Sequence, residues 1–335
     1  MSDRIQLAHG GGGRLSRDLI DKEILKRFGD GPLRGLPDAA CLPSIQNRLI
    51  FTTDSFVVQP LEFPGGNIGD LAVHGTVNDI AVSGGSPKWL SLALILEEGL
   101  PLAVLRKVLD SVRRAADDCG VAVVTGDTKV VARGQCDGMY VNTSGIGEAI
   151  DGFELDPRRI VSGDVVLTSG TLGDHGGAVL SVRGNIRIDN GPRSDTAPVH
   201  RLVLAARGFA DQVRFMRDPT RGGAAAVLNE MVTNRDCSIL LQESDIPLSS
   251  GTRAVCEMLG LDPLQVASEG RVLLVCAPAA AEGILKAWRA MPAGHSAAAI
   301  GTVTGQPAGR VVIQTVTGGR RLVDVPSGEL LPRIC

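Results

Sequence analysis

Aromatic residues are scarce in this sequence, at 3% of its 335 residues, and its basic residues form no dense cluster. Few aromatic rings leave little material for a surface on which nucleic-acid bases stack. The formal net charge of -3 adds no electrostatic footprint for DNA, RNA or anionic lipid. We therefore expect no nucleic-acid partner and no membrane partner.

The sequence also lacks the marks of export. Its Met-Ser-Asp-Arg start has no apolar signal core, and no uninterrupted apolar run approaches membrane-spanning length. The seven cysteines form no Cys-x-x-Cys pair, and we expect a cytoplasmic location, where disulfides are unusual. Cys335 differs from the other six, because no residue follows it in the sequence.

Length and glycine content favour two domains of mixed α and β structure. A chain of 335 residues is long for a single core, and its 42 glycines suit tightly turned units. Asp-Gly and Asp-Pro interrupt the apolar pattern near Ile150–Gly163, which indicates a boundary there. We therefore place an N-terminal domain at residues 1–150, a C-terminal domain at 151–319 and a flexible tail at 320–335.

The helix that the sequence predicts most clearly covers Pro101–Cys119. Apolar residues recur there at helical spacing, from Leu105 to Val112, until Gly120 ends the segment. The other predicted helices are residues 67–83, 199–212, 223–234 and 279–291. The predicted strands are residues 48–58, 89–96, 121–124, 138–148, 164–167, 271–276 and 310–315.

A run of glycines near the N-terminus is the first candidate for a binding role. Gly10, Gly11, Gly12 and Gly13 precede Arg14. Since glycine has no Cβ, main-chain N–H groups in such a run can wrap around phosphate oxygens. No Gly-Lys-Ser/Thr follows, so this is not a P-loop, and a flexible N-terminal linker is an equal alternative.

Five aspartates stand beside turns, at the ends of apolar segments or inside them. They are Asp38, Asp54, Asp79, Asp127 and Asp218. A carboxylate in such a place is costly to bury without a cation or a donor, and several converging carboxylates repel one another. A hard cation with oxygen ligands, Mg²⁺ above all, offsets that repulsion. For each aspartate taken alone, a turn or helix-cap role is the competing interpretation.

Three further charged residues carry weaker signals. The segment Asp-Pro-Thr-Arg-Gly-Gly begins at Asp218 and resembles a helix entry whose amides could face an anion, with Arg221 nearby. A plain helix cap is the alternative. Lys129 and Glu269 do not stand out by spacing, and the residues alone favour a solvated or ion-paired surface position for both.

The thiol of Cys335 is the last candidate. The ending Leu-Pro-Arg-Ile-Cys is too short and too polar to form a core, and Pro332 restricts the chain just before it. A tether can present a thiol at one site and withdraw it to another, although an incidental free cysteine explains the residue as well. The α-carboxylate of the same residue is expected to raise the thiol pKa, so activation has to come from a partner or a covalent adduct.

Several of these segments, in this order along the chain, resemble the HypE family of hydrogenase maturation proteins. The match spans essentially the whole chain. Its most specific part is the ending, because relatives that act on free small molecules lack it. The matching segments are the glycine run, Thr-Thr-Asp-Ser at 52–55, His-Gly-Thr-Val-Asn-Asp-Ile-Ala at 74–81, Thr-Gly-Asp-Thr-Lys-Val-Val at 125–131, Asp-His-Gly at 174–176, Asp-Pro-Thr-Arg-Gly-Gly at 218–223 and Pro-Arg-Ile-Cys at 332–335.

The resemblance implies an α+β, two-domain PurM-like fold, as in aminoimidazole ribonucleotide synthetase, selenophosphate synthetase and thiamine-monophosphate kinase. In that fold the N-terminal, ATP-binding domain pairs its sheet with that of a second subunit in a homodimer. A larger C-terminal α+β domain follows, with ATP near the interface and the flexible tail reaching towards it.

The resemblance also implies roles for the candidate residues. Cys335 becomes the residue that is modified, with Lys129 and Glu269 as the catalytic pair near its sulfur. The implied Mg²⁺ ligands are Asp38, Asp79, Asp127 and Asp218. The implied ATP contacts are Gly10, Gly11, Gly12 and Gly13 as a lid, together with Asp54, Asn78, Thr128 and Arg221.

The implied reaction starts when the partner HypF places a carbamoyl group on the terminal thiol. An ATP-dependent dehydration then converts this S-carboxamide to a thiocyanate, because phosphorylation turns the amide oxygen into a good leaving group. The cyanide passes through the HypC–HypD complex to the iron of the nickel–iron hydrogenase cofactor. Two rival functions are phosphorylation of a free small molecule and a nucleotide-binding scaffold whose tail docks a partner.

Overall fold

The computed structural model describes residues 3–34, 36–325 and 333–335. Pro332 and the rest of the predicted tail at 326–332 lie outside the described residues. Within the described ranges, no helix is both long enough and apolar enough to cross a membrane. The α-helices of these ranges are α1 (Arg14–Leu19), α2 (Lys26–Phe28), α3 (Ile68–Val82), α4 (Leu102–Cys119), α5 (Asp174–Arg183), α6 (His200–Ala205), α7 (Gly223–Val232), α8 (Ser250–Leu259) and α9 (Pro278–Arg289).

The strands fall into one sheet in each half of the chain and a short hairpin. They are β1 (Leu49–Phe56), β2 (Glu62–Phe63), β3 (Gly66–Asn67), β4 (Gly85–Glu97), β5 (Ala122–Val131), β6 (Met139–Ala149), β7 (Val165–Thr168), β8 (Val213–Arg217), β9 (Ser238–Gln242), β10 (Leu273–Cys276), β11 (Ala298–Thr304), β12 (Val311–Gln314) and β13 (Arg320–Leu322). β2 and β3 form the hairpin.

The sheet of the first half has the strand order β1-β6-β4-β5. β6 pairs antiparallel with both β1 and β4, and β5 runs parallel to β4 at the edge opposite β1. Its inner face, with Phe56, Leu92 and Leu94, packs on α3 and α4 in one core. Because side chains alternate along a strand, the intervening residues form an outer face, where Phe51 is 62% exposed and Ile95 40% exposed.

Helices α3 and α4 follow from local signals in the sequence. Asn67 caps α3, since its Oδ1 accepts from the Gly69 N–H at 2.8 Å while Asp70 Oδ2 accepts from the Asn67 N–H at 3.1 Å. α4 is buried on one side only and ends at Gly120, whose φ of +68° favours glycine. The helices predicted at residues 67–83 and 101–119 are therefore confirmed, with ends that differ by no more than a residue.

The sheet of the second half has the order β13-β12-β9-β11-β7-β10-β8. Neighbouring strands run antiparallel, except for the parallel pair β9 and β12. α7 packs with Ile239 and Val275 on one face, and α6 and α9 pack with Leu274 on the other. Helices thus cover both faces of this sheet, which makes the second half a layered α+β unit.

Several elements differ from those predicted, and α1, α5, α8, β8, β9 and β11 have no counterpart among the predicted elements. β5 runs to Val131, so it includes the Thr-Gly-Asp-Thr-Lys segment beyond the short strand predicted at residues 121–124. The helix predicted at residues 199–212 is wrong beyond Ala205, because a 3₁₀ turn at Arg207–Gln212 follows α6. β13 continues the second sheet past residue 319, where the sequence predicts that the tail begins.

Replacement of Leu109 tests the contribution of α4 to the first core. Leu109 is fully buried, so Leu109→Ala is expected to lower the free energy of unfolding by about 2–5 kcal/mol. Val316→Ala, at a site 72% exposed, is the control and should change it by less than about 0.5 kcal/mol. Urea denaturation followed by circular dichroism measures both values. Equal effects of the two variants would contradict the packing of α4.

Candidate active site

A cavity of about 570 Å³ lies where the two halves of the chain meet. The first half lines it from β1 and α3, and the second half from the end of β8 and the loop before β10. The charged and reactive side chains around it are Asp54, Asp79, Arg217, Asp218, Arg221, Glu269 and Cys335. We name Asp54, Asp79, Asp218 and Glu269 the acid cluster.

The packing of β1 on α3 brings the first two acids together. Asp54 lies on the inner face of β1, and its Oδ1 accepts from the Ser55 N–H at 3.0 Å. Asp79 lies in the last turn of α3 and accepts a hydrogen bond from Thr52 Oγ1 at 2.9 Å. Burial raises the pKa of both carboxyl groups, and the charge of Asp79 raises the pKa of Asp54 further.

Asp218 enters the cavity from the second half of the chain. It follows β8 directly and is buried. Burial, followed by the charge of Asp79, raises the pKa of Asp218 to about 7. A carboxyl group in this position holds a proton at mildly acid pH and can exchange it for a metal cation.

Glu269 is 2% exposed and carries an unsatisfied oxygen. Its N–H donates to Asp195 Oδ1 at 3.0 Å, whereas its Oε1 is buried without a hydrogen-bond partner in the part of the chain that the structure describes. Burial, followed by the charge of Asp218, raises the pKa of Glu269 well above its usual range. Burial therefore disfavours the ionised form of Glu269, and a cation beside it would favour that form.

Asn78 holds loops of the second half against α3. Its Nδ2 donates to the carbonyl oxygens of Ala197 at 3.0 Å and Glu269 at 3.1 Å, and its Oδ1 accepts from the Val199 N–H at 2.8 Å. Both polar atoms of this fully buried side chain thus have main-chain partners. The structure places Asn78 as a support for Glu269, whereas the sequence predicts a contact to the nucleotide.

Cys335 lies inside the cavity, beside the acid cluster. The Val57 N–H donates to its main-chain carboxylate oxygen at 3.1 Å, so the end of the tail is docked on the segment that follows β1. Burial raises the pKa of the Cys335 thiol, and the charge of Glu269 raises it further. The thiol is therefore protonated at neutral pH. The direction is the one expected from the sequence, but burial is its main cause.

A second group of predicted site residues lies on β5. Asp127 Oδ1 accepts from Lys129 Nζ at 2.9 Å and from the Thr128 N–H at 2.8 Å. The glycine run packs on the same strand, because a Cβ at Gly10 would stand 3.0 Å from Val130. We name the residues Gly10, Gly11, Gly12, Gly13, Asp127, Thr128 and Lys129 the β5 cluster.

The glycine run is open on the side away from β5. Gly12 has a φ of +76°, which favours glycine, and its N–H donates to Ser16 Oγ at 2.9 Å. A Cβ at Gly12 or Gly13 would meet no described atom within 4 Å. Packing within the chain therefore does not account for glycine at residue 13, and close approach of a ligand remains compatible with it.

The acid cluster and the β5 cluster lie apart within one chain. β1 and β5 form opposite edges of the first sheet, three strand spacings or roughly 14 Å apart. They also use opposite faces, since Lys129 is in register with Ile95 on the outer face while Asp54 lies on the inner face. Lys129 and Glu269 therefore do not meet in a single chain.

Asp38 joins neither cluster. It is exposed in the irregular segment between α2 and β1. Among residues 3–34, 36–325 and 333–335, no group of three or more His, Cys, Asp or Glu side chains is arranged to hold a metal ion by itself. The predicted Mg²⁺ ligands are thus divided, with Asp79 and Asp218 in the acid cluster, Asp127 in the β5 cluster and Asp38 outside both.

Two supporting residues have no role in the sequence-based predictions. Asp195 accepts from the main chain of Glu269, and burial raises the pKa of its carboxyl group to about 6 although Arg271 Nε lies 3.4 Å from Oδ2. His175, in the first turn of α5, lies 2.6 Å from the Ile334 carbonyl oxygen through its Nε2. Asp195 lies in a stretch without an apolar pattern, and the only signal at His175 is the short Asp-His-Gly match.

Comparison with known families assigns both halves of the chain. Residues 37–149 match the N-terminal domain of AIR synthase related proteins, and residues 161–314 match the C-terminal domain of the same proteins. The two matches cover most of the chain. The α+β, two-domain PurM-like fold expected from the sequence is confirmed.

Relatives match over nearly the full length. Carbamoyl dehydratase HypE of Rhodobacter capsulatus is 46% identical over 336 residues, which cover 99% of this chain and 98% of that protein. A crystal structure of hydrogenase maturation protein HypE in complex with ATP has a TM-score of 0.94 at 42% identity, over 98% of this chain and 99% of that chain. A chain in a crystal structure of a HypE–HypF complex has a TM-score of 0.81 at 40% identity, over 92% of this chain and 99% of that chain.

Asp218→Asn tests the electrostatics of the acid cluster. The fold raises the pKa of Asp218 to about 7, so the native state holds this proton more tightly than the unfolded chain does. The protonated Asp218 therefore adds to the free energy of unfolding below about pH 4, and this contribution is lost as the pH rises to about 7. The variant should therefore melt at a higher temperature than the native protein at about pH 8, measured by calorimetry in EDTA.

The surface variant Asp211→Asn is the control for that measurement. Asp211 is exposed, and its replacement should leave the melting temperature unchanged across the same pH range. If the melting temperature of Asp218→Asn followed pH in parallel with that of the native protein, Asp218 would not titrate as described.

Proposed function

Since the chain belongs to the HypE family of carbamoyl dehydratases, we propose that it dehydrates an S-carboxamide carried on its own Cys335. The chain is an ATP-dependent carbamoyl dehydratase of hydrogenase maturation. The observation that supports Cys335 as the carrier is its docked position beside the acid cluster. A kinase for a free small molecule would leave that docked thiol without a role.

The proposed reaction moves the oxygen of the carbamoyl group into phosphate. The amide oxygen attacks the γ-phosphorus of ATP, the bond from that phosphorus to ADP breaks, and an O-phosphorylated imidate forms. Loss of the two nitrogen protons and departure of phosphate leave a thiocyanate on the Cys335 sulfur. Positioning and electrostatic stabilisation dominate such phosphoryl transfers.

Glu269 is the proposed base for a nitrogen proton. Burial raises the pKa of Glu269 and so disfavours the ionised form that accepts a proton, which means that its pKa has to fall for it to act as a base. An ammonium group placed beside it would have this effect, because an opposite charge favours the ionised carboxylate. Lys129 from a second copy of the chain is the group that we assign to this task, and Glu269 then takes the proton.

The rest of the acid cluster fits Mg²⁺ bound with the ATP phosphates. Burial raises the pKa of Asp54, Asp79 and Asp218 more than the charges of Arg217 and Arg221 lower it, so the protein alone does not fully offset their negative charge. A bound Mg²⁺ would offset negative charge on the transferring phosphoryl group. Arg221, which lines the same cavity, can donate to phosphate oxygens.

A homodimer is the proposed way in which the two clusters meet. The β5 cluster lies too far from the acid cluster of its own chain, and Lys129 belongs to the outer face of the sheet. That face carries exposed apolar side chains, among them Phe51 and Ile95. A second copy of the same sheet would cover them and bring its β5 cluster, with the glycine run as a lid over ATP, to this cavity.

The proposed partners are the proteins that supply the carbamoyl group to the tail and take the cyanide from it. A HypF-like carbamoyltransferase is the proposed donor, supported by the HypE–HypF complex of a relative 40% identical to this chain. The HypC–HypD complex is the proposed acceptor, which passes the cyanide to the iron of a nickel–iron hydrogenase. These steps are proposed to take place in the cytoplasm.

Intact-protein mass spectrometry tests Cys335 as the carrier. After incubation with HypF, carbamoyl phosphate and ATP, a carbamoyl adduct should appear on Cys335, and Mg-ATP should then remove one water from it. The variant Cys335→Ala should carry no adduct, while Cys41→Ala, which changes an exposed cysteine elsewhere, should behave as the native protein does. An adduct on Cys335→Ala would exclude this residue as the carrier.

Mixed dimers test whether two copies share one site. Lys129→Ala and Glu269→Gln should each lower the dehydration rate by about a hundredfold or more, as for loss of a general base or its partner. When the two proteins are unfolded together and refolded as a mixture, each mixed dimer regains one intact site. Random pairing then restores roughly a quarter of the native activity. If both residues act within one chain, the mixture stays as inactive as its components.

A further inference from the structure

The last three residues of the chain are docked by main-chain hydrogen bonds. The Val57 N–H donates to the main-chain carboxylate oxygen of Cys335 at 3.1 Å, and the Gln59 N–H donates to the carbonyl oxygen of Arg333 at 3.3 Å. Both donors and both acceptors are two residues apart, which is the spacing of a short β-type pairing. The carbonyl oxygen of Ile334, between these bonds, faces His175 instead, with Nε2 at 2.6 Å.

The ring of His175 is fixed on three sides. A carbonyl oxygen only accepts, so Nε2 carries the hydrogen that goes to Ile334. Nδ1 lies 2.8 Å from Ser194 Oγ, which donates to it when the ring is neutral. Phe63 packs edge to face against the ring, with centroids 5.2 Å apart and planes at 89°. Burial lowers the pKa of His175 to about 4, so the neutral tautomer is the one present at neutral pH.

The side chain of Ile334 is a core residue. It is 3% exposed and belongs to the core of the first half of the chain. Among the described residues of that core, only Val179, Ala267 and Ile334 come from beyond residue 150. Ile334 therefore occupies the junction between the two halves, and its burial contributes apolar contacts that hold the tail in place.

Arg333 is held at the surface by a different kind of contact. Arg183 donates to its carbonyl oxygen, and its own guanidinium group pairs with Asp137, which also accepts from the Tyr140 hydroxyl at 2.8 Å. The Arg333 side chain remains 48% exposed, and an exposed ion pair contributes little. The buried contacts of Ile334 therefore dominate the docking of these three residues.

We infer that the tail is recognised through its penultimate residue, with His175 as the positioning residue that seats Ile334 and thereby holds Cys335 at the acid cluster. The site is a pocket for an aliphatic side chain with a neutral imidazole aimed at its carbonyl group, and its occupant is this chain's own Ile334. Cys335 itself lies beside carboxyl groups and is held there by the docking of its neighbour, Ile334. This docking role of Ile334 and His175 rests on the proposed function, in which Cys335 carries the reacting group.

Alkylation of Cys335 by iodoacetamide, followed by peptide mass spectrometry, measures docking without any carbamoyl chemistry. The buried and protonated thiol should react slowly in the native protein, since the thiolate is the reactive form. Loss of the His175 hydrogen bond in His175→Ala should raise the rate at Cys335 about tenfold. His175→Gln, which keeps an N–H donor, should lie closer to the native rate, and His295→Ala, at an exposed histidine, should match it.

The other cysteines separate undocking from unfolding. Cys119, Cys237, Cys256 and Cys276 are buried, and they should stay unlabelled in every variant in which only the tail is released. If His175→Ala also exposes the buried cysteines, Ile334→Ala tests the docking instead, because this change affects only a side chain at the end of the tail. That variant should raise the Cys335 rate about tenfold or more.

Either of two results would overturn the inference. One is a native labelling rate at Cys335 in His175→Ala with the buried cysteines protected, and the other is a native rate in Ile334→Ala. Equal rates in His175→Ala and His175→Gln would also contradict the hydrogen-bond role. A failed carbamoyl adduct on Cys335, in contrast, would overturn the proposed function while leaving these labelling rates as they are.

Discussion

The crowding of four carboxyl groups at the junction of the two halves is the constraint on which the rest of this structure depends. Asp54 and Asp79 come from β1 and α3, whereas Asp218 and Glu269 come from loops of the second sheet. Burial, with mutual repulsion for Asp54, Asp218 and Glu269, raises the pKa of every member, so the protein alone keeps part of the cluster protonated. Such a cluster is more stable when part of it is protonated than when all four groups are ionised. The same arrangement thus disfavours ionisation of the carboxyl groups in the absence of a cation.

The two halves hold this cluster together through contacts that are mostly not ionic. Asn78 hydrogen-bonds main-chain groups of the second half, including the carbonyl oxygen of Glu269, and Val179 and Ala267 enter the core of the first half. Because these contacts are buried and directional, a shift of one half against the other would change the distances between the acids. The spacing of the cluster therefore depends on the packing at the junction as much as on the acids themselves.

The sequence allowed prediction of the elements that have local signals. α3 and α4 have caps and helical periodicity, and the aspartates at residues 54, 79 and 218 interrupt apolar segments, so both the helices and a set of acids were foreseeable. The order of strands in a sheet and the face that a residue occupies are set by tertiary pairing, which leaves no local pattern. For this reason the separation of Lys129 from Glu269 was not foreseeable, nor was the support that Asp195 and His175 give from irregular segments and a helix start. β5 was underestimated because Thr-Gly-Asp-Thr-Lys is polar, and its outer face is open in the single chain.

Under the proposed function, in which Cys335 receives its carbamoyl group from a partner, Ile334 is a core residue that leaves the core in each catalytic cycle. Burial of one such aliphatic side chain contributes roughly 1.5–3 kcal/mol to the docked state, an amount that binding of a partner can offset. Because apolar burial carries a negative heat-capacity change and weakens on cooling, the balance between docked and released tail is sensitive to temperature. Cooling weakens this apolar contribution, and a released tail would leave the space of one side chain between the two halves. The junction of this protein is therefore a core with one exchangeable member.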